Sequence, residues 1–382
     1  MTLSAPVSVR RTWPLYAAGF TTAFGAHGIA ANLGQGVESL LYLGLLLALY
    51  DGAEVVLKPL FGTLADRIGA RPVLLGGLIG FAAASALFVL VRDPGWLWAA
   101  RLGQGAAASA FSPAASAMLA RLNPQARHGR AFGSYGFFKS IGYTAGPLIG
   151  GALMWAGGLT LLFVVLAVLA AVVAGWAWLA VPAVPPLPKA RQSVVDLFRR
   201  LTDGAFLRPV AALAAATAAL SAGVGFLPVS GALAGLSPPA TGAAVSVLAL
   251  CAALVQPWAG RALDSGRLAT GPGVAAGLLL TAGGLVAAML PGLPGVLTAA
   301  ALVGVGTGLI TPLAFAALAA ATPPERLGQT MGTAELGREM GDAGGPLLVA
   351  AVAGALALPW GFAVLAAATA VLALILIARR AA

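Results

Sequence analysis

Residues 133–151 read GSYGFFKSIGYTAGPLIGG, and residues 332–346 read GTAELGREMGDAGGP. Overlaid with a shift of 199, the two share Gly133 with Gly332, Gly142 with Gly341, Gly146 with Gly345 and Pro147 with Pro346, and Lys139 falls on Arg338. Alone, the first stretch is contradictory. It holds six glycines, a proline and a lysine inside an apolar run, although Gly and Pro weaken helices in water and a charge is costly in lipid. As one of a pair it is a repeated element, so the chain is built from two related halves.

The same shift carries Pro113 to Pro312, Pro124 to Pro323, Arg127 to Arg326 and Gly129 to Gly328. One residue out of that register, Pro59, Gly62 and Asp66 fall on Pro257, Gly260 and Asp264. Rare residues at rigid spacing over several segments mark an internal duplication. Two parallel repeats in a membrane place a solute site between them near the midplane.

A membrane is dictated by composition. The 382 residues are 60% hydrophobic and 9% charged, with a mean hydropathy of +0.94, more apolar surface than a soluble domain of this size can hide. Apolar runs occupy 12–34, 40–61, 73–91, 96–119, 131–153, 158–181, 208–233, 241–260, 270–290, 295–320, 330–355 and 359–378. Runs of about 20 residues cross about 30 Å of hydrocarbon as helices. The expectation is an all-α integral membrane protein with twelve transmembrane helices in two pseudo-symmetric six-helix bundles, residues 1–181 and 209–382. The linker at 182–208 holds Val194, Phe198 and Leu201 on one helical face, which suits either a short helix on the anionic inner leaflet or a solvated linker helix.

The net charge of +10 follows topology. Numbered from a cytoplasmic N-terminus, the inner segments hold eighteen of the 22 Lys and Arg residues, the outer ones only Arg92, and Arg101, Lys139 and Arg338 lie inside apolar runs. That bias places both termini in the cytoplasm, in a cell (inner) membrane, and requires no nucleic acid partner. The run after Arg10 and Arg11 reads as an uncleaved first helix. Cys251, the single cysteine, forms no internal disulfide.

After the second run the chain reads GTLADRIGARP, Gly62 to Pro72, a tight basic turn with a degenerate copy, GRALDSGR, at Gly260 to Arg267. This resembles the loop signature of the major facilitator superfamily, Gly-x-Leu-x-Asp-Arg-x-Gly-x-Arg. The resemblance implies a cytoplasmic gating loop made by Gly62, Asp66, Arg67, Gly69 and Arg71, with Asp264 and Arg267 in the copy. Physically, Asp66 suits the positive N-terminus of helix 11, an attraction of about 0.3 to 1 kcal/mol; the alternative is that these charges only enforce topology. Arg101, Gln104 and Gly105 resemble the family's second motif, with Arg101 either snorkelling to the surface or biasing a nearby carboxyl group. Gly133, Gly142, Gly146, Pro147, Gly150 and Gly151 match a third, Gly-x8-Gly-x3-Gly-Pro-x2-Gly-Gly, which the twelve-helix drug/proton antiporter-type exporters carry. Its small residues would let helix 5 pack against a helix of the other half, and Pro147 would bend it.

Within the membrane, Asp51, Glu54 and Lys58 share one face of helix 2. Glu335, Glu339 and Asp342 surround Arg338 in helix 11, and Lys139 stands in helix 5. A buried acid near a cation can titrate between the pH values of two compartments, so Asp51, Glu54, Glu335, Glu339 and Asp342, with His27 as a weaker relay, are proton-coupling candidates. Glu54, Glu339 and Asp342 lead. Arg101, Lys139 and Arg338 are candidate cavity cations, with Lys139 and Arg338 a pseudo-symmetric pair. Static ion pairs and a core histidine are the alternatives.

No phosphate loop, HExxH, GxSxG or Cys/His metal spacing occurs, so no enzyme, cofactor or metal is expected. The function expected is alternating-access transport, with proton-coupled export of hydrophobic or drug-like small molecules by a monomer. Uptake or exchange of an organic anion or sugar, with the three cations as ligands, is the first alternative. A non-transporting membrane sensor is the second.

Overall fold

The structure, a computed structural model, describes residues 12–30, 40–91, 96–185 and 203–381. The linker face of Val194, Phe198 and Leu201 lies outside the described residues, as do Arg10, Arg11 and Arg92. Eleven α-helical runs are present among the described residues, and the longest is two helices, so these residues form twelve. They are α1 Trp13–Ala30, α2 Leu40–Ile68, α3 Ala70–Val91, α4 Leu97–Leu122, α5 and α6 within His128–Ala180, α7 Gly204–Leu233, α8 Pro238–Asp264, α9 Thr270–Ala287, α10 Gly292–Ala320, α11 Leu327–Ala355 and α12 Leu358–Ala381. The break between α5 (128–156) and α6 (159–180) falls at Gly157 and Gly158; Gly158 has φ +65° and ψ −165°, a backbone state that only glycine adopts without strain.

Among the described residues seven runs are long and apolar enough to cross a bilayer, the one at Gln125–Ala180 holding both α5 and α6. The charged helices α2 and α11 are not among them. Intramembrane hydroxyls return to their own helices: Thr21 donates to the Ala17 carbonyl, Ser85 to Phe81 and Thr281 to Gly277, which satisfies them where water is scarce.

In each half one helix forms the buried centre. On α4, Ala, Ser and Gly from Gly105 to Ala120 are buried almost throughout, and α10, its repeat partner, is buried likewise. Small residues set the close approach: a Cβ on Gly105 would meet the Tyr50 backbone of α2, and one on Gly304 the Leu248 carbonyl of α8. Large side chains fill the remainder, Phe81 edge-on to Phe111 and Phe88 against Phe163 in the first half, and Leu248, Leu285, Val303 and Phe362 in the second.

The chain divides into two compact units, each of which combines parts of both sequence halves. One unit holds the described parts of 1–125, 138–190 and 322–336; the other holds those of 126–137, 191–321 and 337–382. Thus α5 is divided at Phe137 and α11 at Leu336, one repeat apart, and the first limb of each packs with the opposite sequence half. The physical cause is a pair of glycine-lined helix crossings.

The turn expected at Gly62–Pro72 is mostly helix. The α2 helix runs on through Asp66 to Ile68, and the turn contracts to Gly69 at φ +102°.

Candidate functional site

Two equivalent crossings organise the charged residues. In the first, α2 lies on α11: a Cβ on Gly62 would collide with the Gly328 carbonyl, and one on Gly332 with the Lys58 carbonyl. In the second, α8 lies on α5, with Gly260 against Gly129 and Gly133 against the Gln256 carbonyl. Each crossing ends in an aspartate that receives a helix N-terminus. Asp66 accepts from the Gly328 and Gln329 amides at 2.7 and 2.8 Å, and Asp264 from the Gly129 and Arg130 amides at 2.8 Å each. These are charge-assisted caps on otherwise unpaired N–H groups. Arg67 and Arg267 are exposed, whereas Arg71 donates to the Trp178 carbonyl of α6. Beyond the apolar span of α4, burial draws the Arg121 pKa down while the Asp66 and Glu325 charges pull it back up.

Deeper on the first crossing lies a buried ion cluster. Lys58 Nζ is 2.9 Å from Glu54 Oε2 and 4.0 Å from Glu335 Oε2, and Lys139 Nζ is 3.3 Å from the same Glu335 oxygen. All four residues are at most 5% exposed. Tyr50 donates its hydroxyl to Glu54 at 3.4 Å, and the Arg101 guanidinium stands 4.4 Å from the Tyr50 ring centroid. Arg101 is 1% exposed, donating at 3.5 Å to the Leu46 carbonyl and to Gln104, so it does not snorkel. Glu335 therefore joins α11 to α2 and α5 at once.

Sequence comparison accounts for this architecture. The model of the Major Facilitator Superfamily matches residues 12–265 and 231–382. The chain belongs to the major facilitator superfamily. Over 93 residues, 24% of the chain, it is 41% identical to the puromycin resistance protein pur8 of Streptomyces alboniger, covering 18% of that protein. Over 108 residues, 28% of the chain, it is 39% identical to the class E tetracycline resistance protein of Escherichia coli, covering 26%. The matches thus span about a fifth to a quarter of these relatives. Among solved structures, the human organic anion transporter MFSD10 (TETRAN) superposes with a TM-score of 0.82 at 18% identity, covering 97% of this chain and all of that one. The E. coli fucose:proton symporter FucP does so with a TM-score of 0.81 at 15% identity, covering 98% and 99%. The protein is a multi-pass, twelve-helix major facilitator membrane protein.

Within this major facilitator fold, several charges sit elsewhere than the sequence suggests. Along α11, Glu335 meets α2 and α5, whereas Arg338 and Asp342 meet α7. Glu335 turns to Lys58 and Lys139, Asp342 accepts from the Ser221 hydroxyl of α7, and Glu339 is half-buried. Arg338 is buried and its carbonyl accepts from Thr217 at 2.9 Å. Asp51 is exposed while Glu54 and Lys58 are not, so their shared face is only partly buried. Lys58, counted by sequence among the inner-side cations, is a core residue at 1% exposure. His27 is exposed beside the Tyr143 ring, centroids 4.3 Å apart.

The glycine motif of α5 is also split. Gly133 faces α8 of the other half, but Gly142 and Gly146 pack on Phe20, Phe24 and Gly28 of α1 in their own half. Its last pair, Gly150 and Gly151, lies beyond Pro147 in α5. On α11, Gly341 and Gly345 likewise meet Ala214 and Ala218 of α7. Periodicity missed Tyr50, Gln256 and Ser221 because none is charged; shifting Lys58 by 198 would have pointed to Gln256. Among the described residues no three His, Cys, Asp or Glu side chains are grouped to hold a metal.

Proposed function

We propose that the protein is a secondary active transporter that exports small hydrophobic or drug-like molecules in exchange for protons. It works by alternating access, as a monomer in the cell (inner) membrane with both termini cytoplasmic. The buried Glu54–Lys58–Glu335–Lys139 cluster carries this proposal. Its four formal charges sum to zero, and one proton on Glu335 leaves a net positive charge in a low-dielectric site. That excess loosens the ties of α11 to α2 and α5 and shifts the population towards a state open on the cytoplasmic side. Release of the proton restores the ties. An exporter driven by protons entering from outside needs this sign. Relatives named for puromycin and tetracycline resistance support the drug-like class.

A second function, symport or exchange of an organic anion or sugar, draws on the excess of buried cations, Arg101, Lys58, Lys139 and Arg338, over buried carboxylates, Glu54 and Glu335. Inverted vesicles with an acidified lumen separate the two. Puromycin or tetracycline added to the bath dissipates the pH gradient if the protein is an antiporter and leaves it intact if these compounds are not exchanged for protons.

A further inference from the structure

The internal repeat supplies a natural control for the ion cluster. On α2 and α8 the shift of 198 that pairs Gly62 with Gly260 and Asp66 with Asp264 also pairs Lys58 with Gln256. On α5 and α11 the shift of 199 that pairs Gly133 with Gly332 pairs Gly136 with Glu335. The contacts obey this register: Lys58 reaches Glu335, and the buried Gln256 side chain lies where a Cβ on Gly136 would stand. One crossing meets at this depth through an ion pair, the other through an amide on a glycine.

Both crossings make the same glycine contacts and end in the same aspartate cap. The α8–α5 crossing does so with neither member of the pair charged, so close packing does not require Lys58 or Glu335. Buried ion pairs are weak sources of stability and can be replaced together, whereas removing one partner strands a charge. The charges at the α2–α11 crossing are therefore additions to a scaffold that closes without them.

We infer that Lys58 is a positioning residue for proton coupling, holding α2 to α11 through Glu335, and that Gln256 on Gly136 is the proton-indifferent counterpart. The inference rests on the proton-coupled function above. When a proton from outer water adds to the Glu335 carboxylate, Lys58 keeps its charge paired with Glu54, 2.9 Å away on its own helix. Lys139 is left as the excess cation, and the proton later leaves to cytoplasmic water. The surrounding charged or titratable groups are Tyr50, Asp51, Glu54 and Lys58 from α2, Lys139 from α5, Arg101 from α4 beside Tyr50, and Arg338 and Glu339 on α11 itself.

The test uses the full chain with Cys251→Ser in nanodiscs, spin-labelled at Ile68→Cys and Pro324→Cys, two exposed sites flanking the crossing. The α2–α11 distance is read between about pH 5.5 and 8.5. The parent lengthens on acidification. Lys58→Gln/Glu335→Gly, which puts the residues of the α8–α5 crossing at these two positions and leaves Glu54 and Lys139 with formal charges that cancel, folds and keeps the short distance at every pH, whereas Glu335→Gln, with one cation in excess, is long throughout. Lys58→Arg restores the response. Acid lengthening retained in the double variant overturns the inference, as does failure of that variant to fold. A fixed distance in a parent that still exchanges puromycin for protons in vesicles overturns the inference alone. Absence of any proton exchange overturns the function beneath it.

Discussion

Asp66 and Asp264 are equivalent carboxylates one repeat apart, each accepting two consecutive backbone N–H groups where a helix of the opposite sequence half begins. Hydrogen bonds to a charged group contribute roughly 1.5–3 kcal/mol. Asp66→Asn keeps one acceptor and loses the charge, so amide exchange at Gly328 and Gln329 is expected to accelerate by about tenfold or more. Asp264→Asn does the same at Gly129 and Arg130. Unchanged protection in both variants would mean that the caps do not hold these helix starts.

Gly328→Ala forces a Cβ into the Gly62 carbonyl, a backbone atom that cannot rotate away. The expected loss is about 1–3 kcal/mol, read as a lower melting temperature in detergent. Gly76→Ala, at a helical site with open space around it, serves as the control and is expected to be neutral or slightly stabilising.

Arg101→Lys keeps the charge but loses the planar fork that reaches the Leu46 carbonyl, Gln104 and the Tyr50 face. Arg101→Gln also removes the cation from the Tyr50 face and the charged hydrogen bonds to Leu46 and Gln104, each worth roughly 1.5–3 kcal/mol. The melting temperatures are predicted to fall in the order parent, Lys, Gln. A Lys variant as unstable as Gln would show that the fork, not the charge, matters most.

The fold was legible because it rests on properties that survive in one dimension. Hydropathy set most helix ends to within about four residues, with α2 running seven past its expected end, and the duplicated Gly, Pro and Asp positions marked the equivalent crossings. The site was less legible because a single helix face meets different neighbours along its length. Glu335 and Asp342 are seven apart, yet one faces Lys139 and the other Ser221. Nor does the sequence say that α5 and α11 change allegiance at Phe137 and Leu336. That exchange depends on which glycines find a backbone to lie against, a three-dimensional property.

Proton coupling through Glu335, as proposed, predicts different behaviour for two sets of acids. Glu339→Gln and Asp342→Asn are expected to leave the pH dependence of any puromycin or tetracycline exchange within about twofold of the parent. Glu54→Gln takes away the local partner of Lys58 and is expected to lower proton-driven flux. The pH profiles of the three variants in proteoliposomes decide this assignment.

The most direct test of the central claim is tetracycline flux in proteoliposomes carrying Glu335→Gln, measured with and without an imposed pH gradient. The account predicts that the variant still exchanges tetracycline for tetracycline while the pH gradient no longer accelerates transport. Acceleration equal to that of the parent would contradict proton coupling through Glu335.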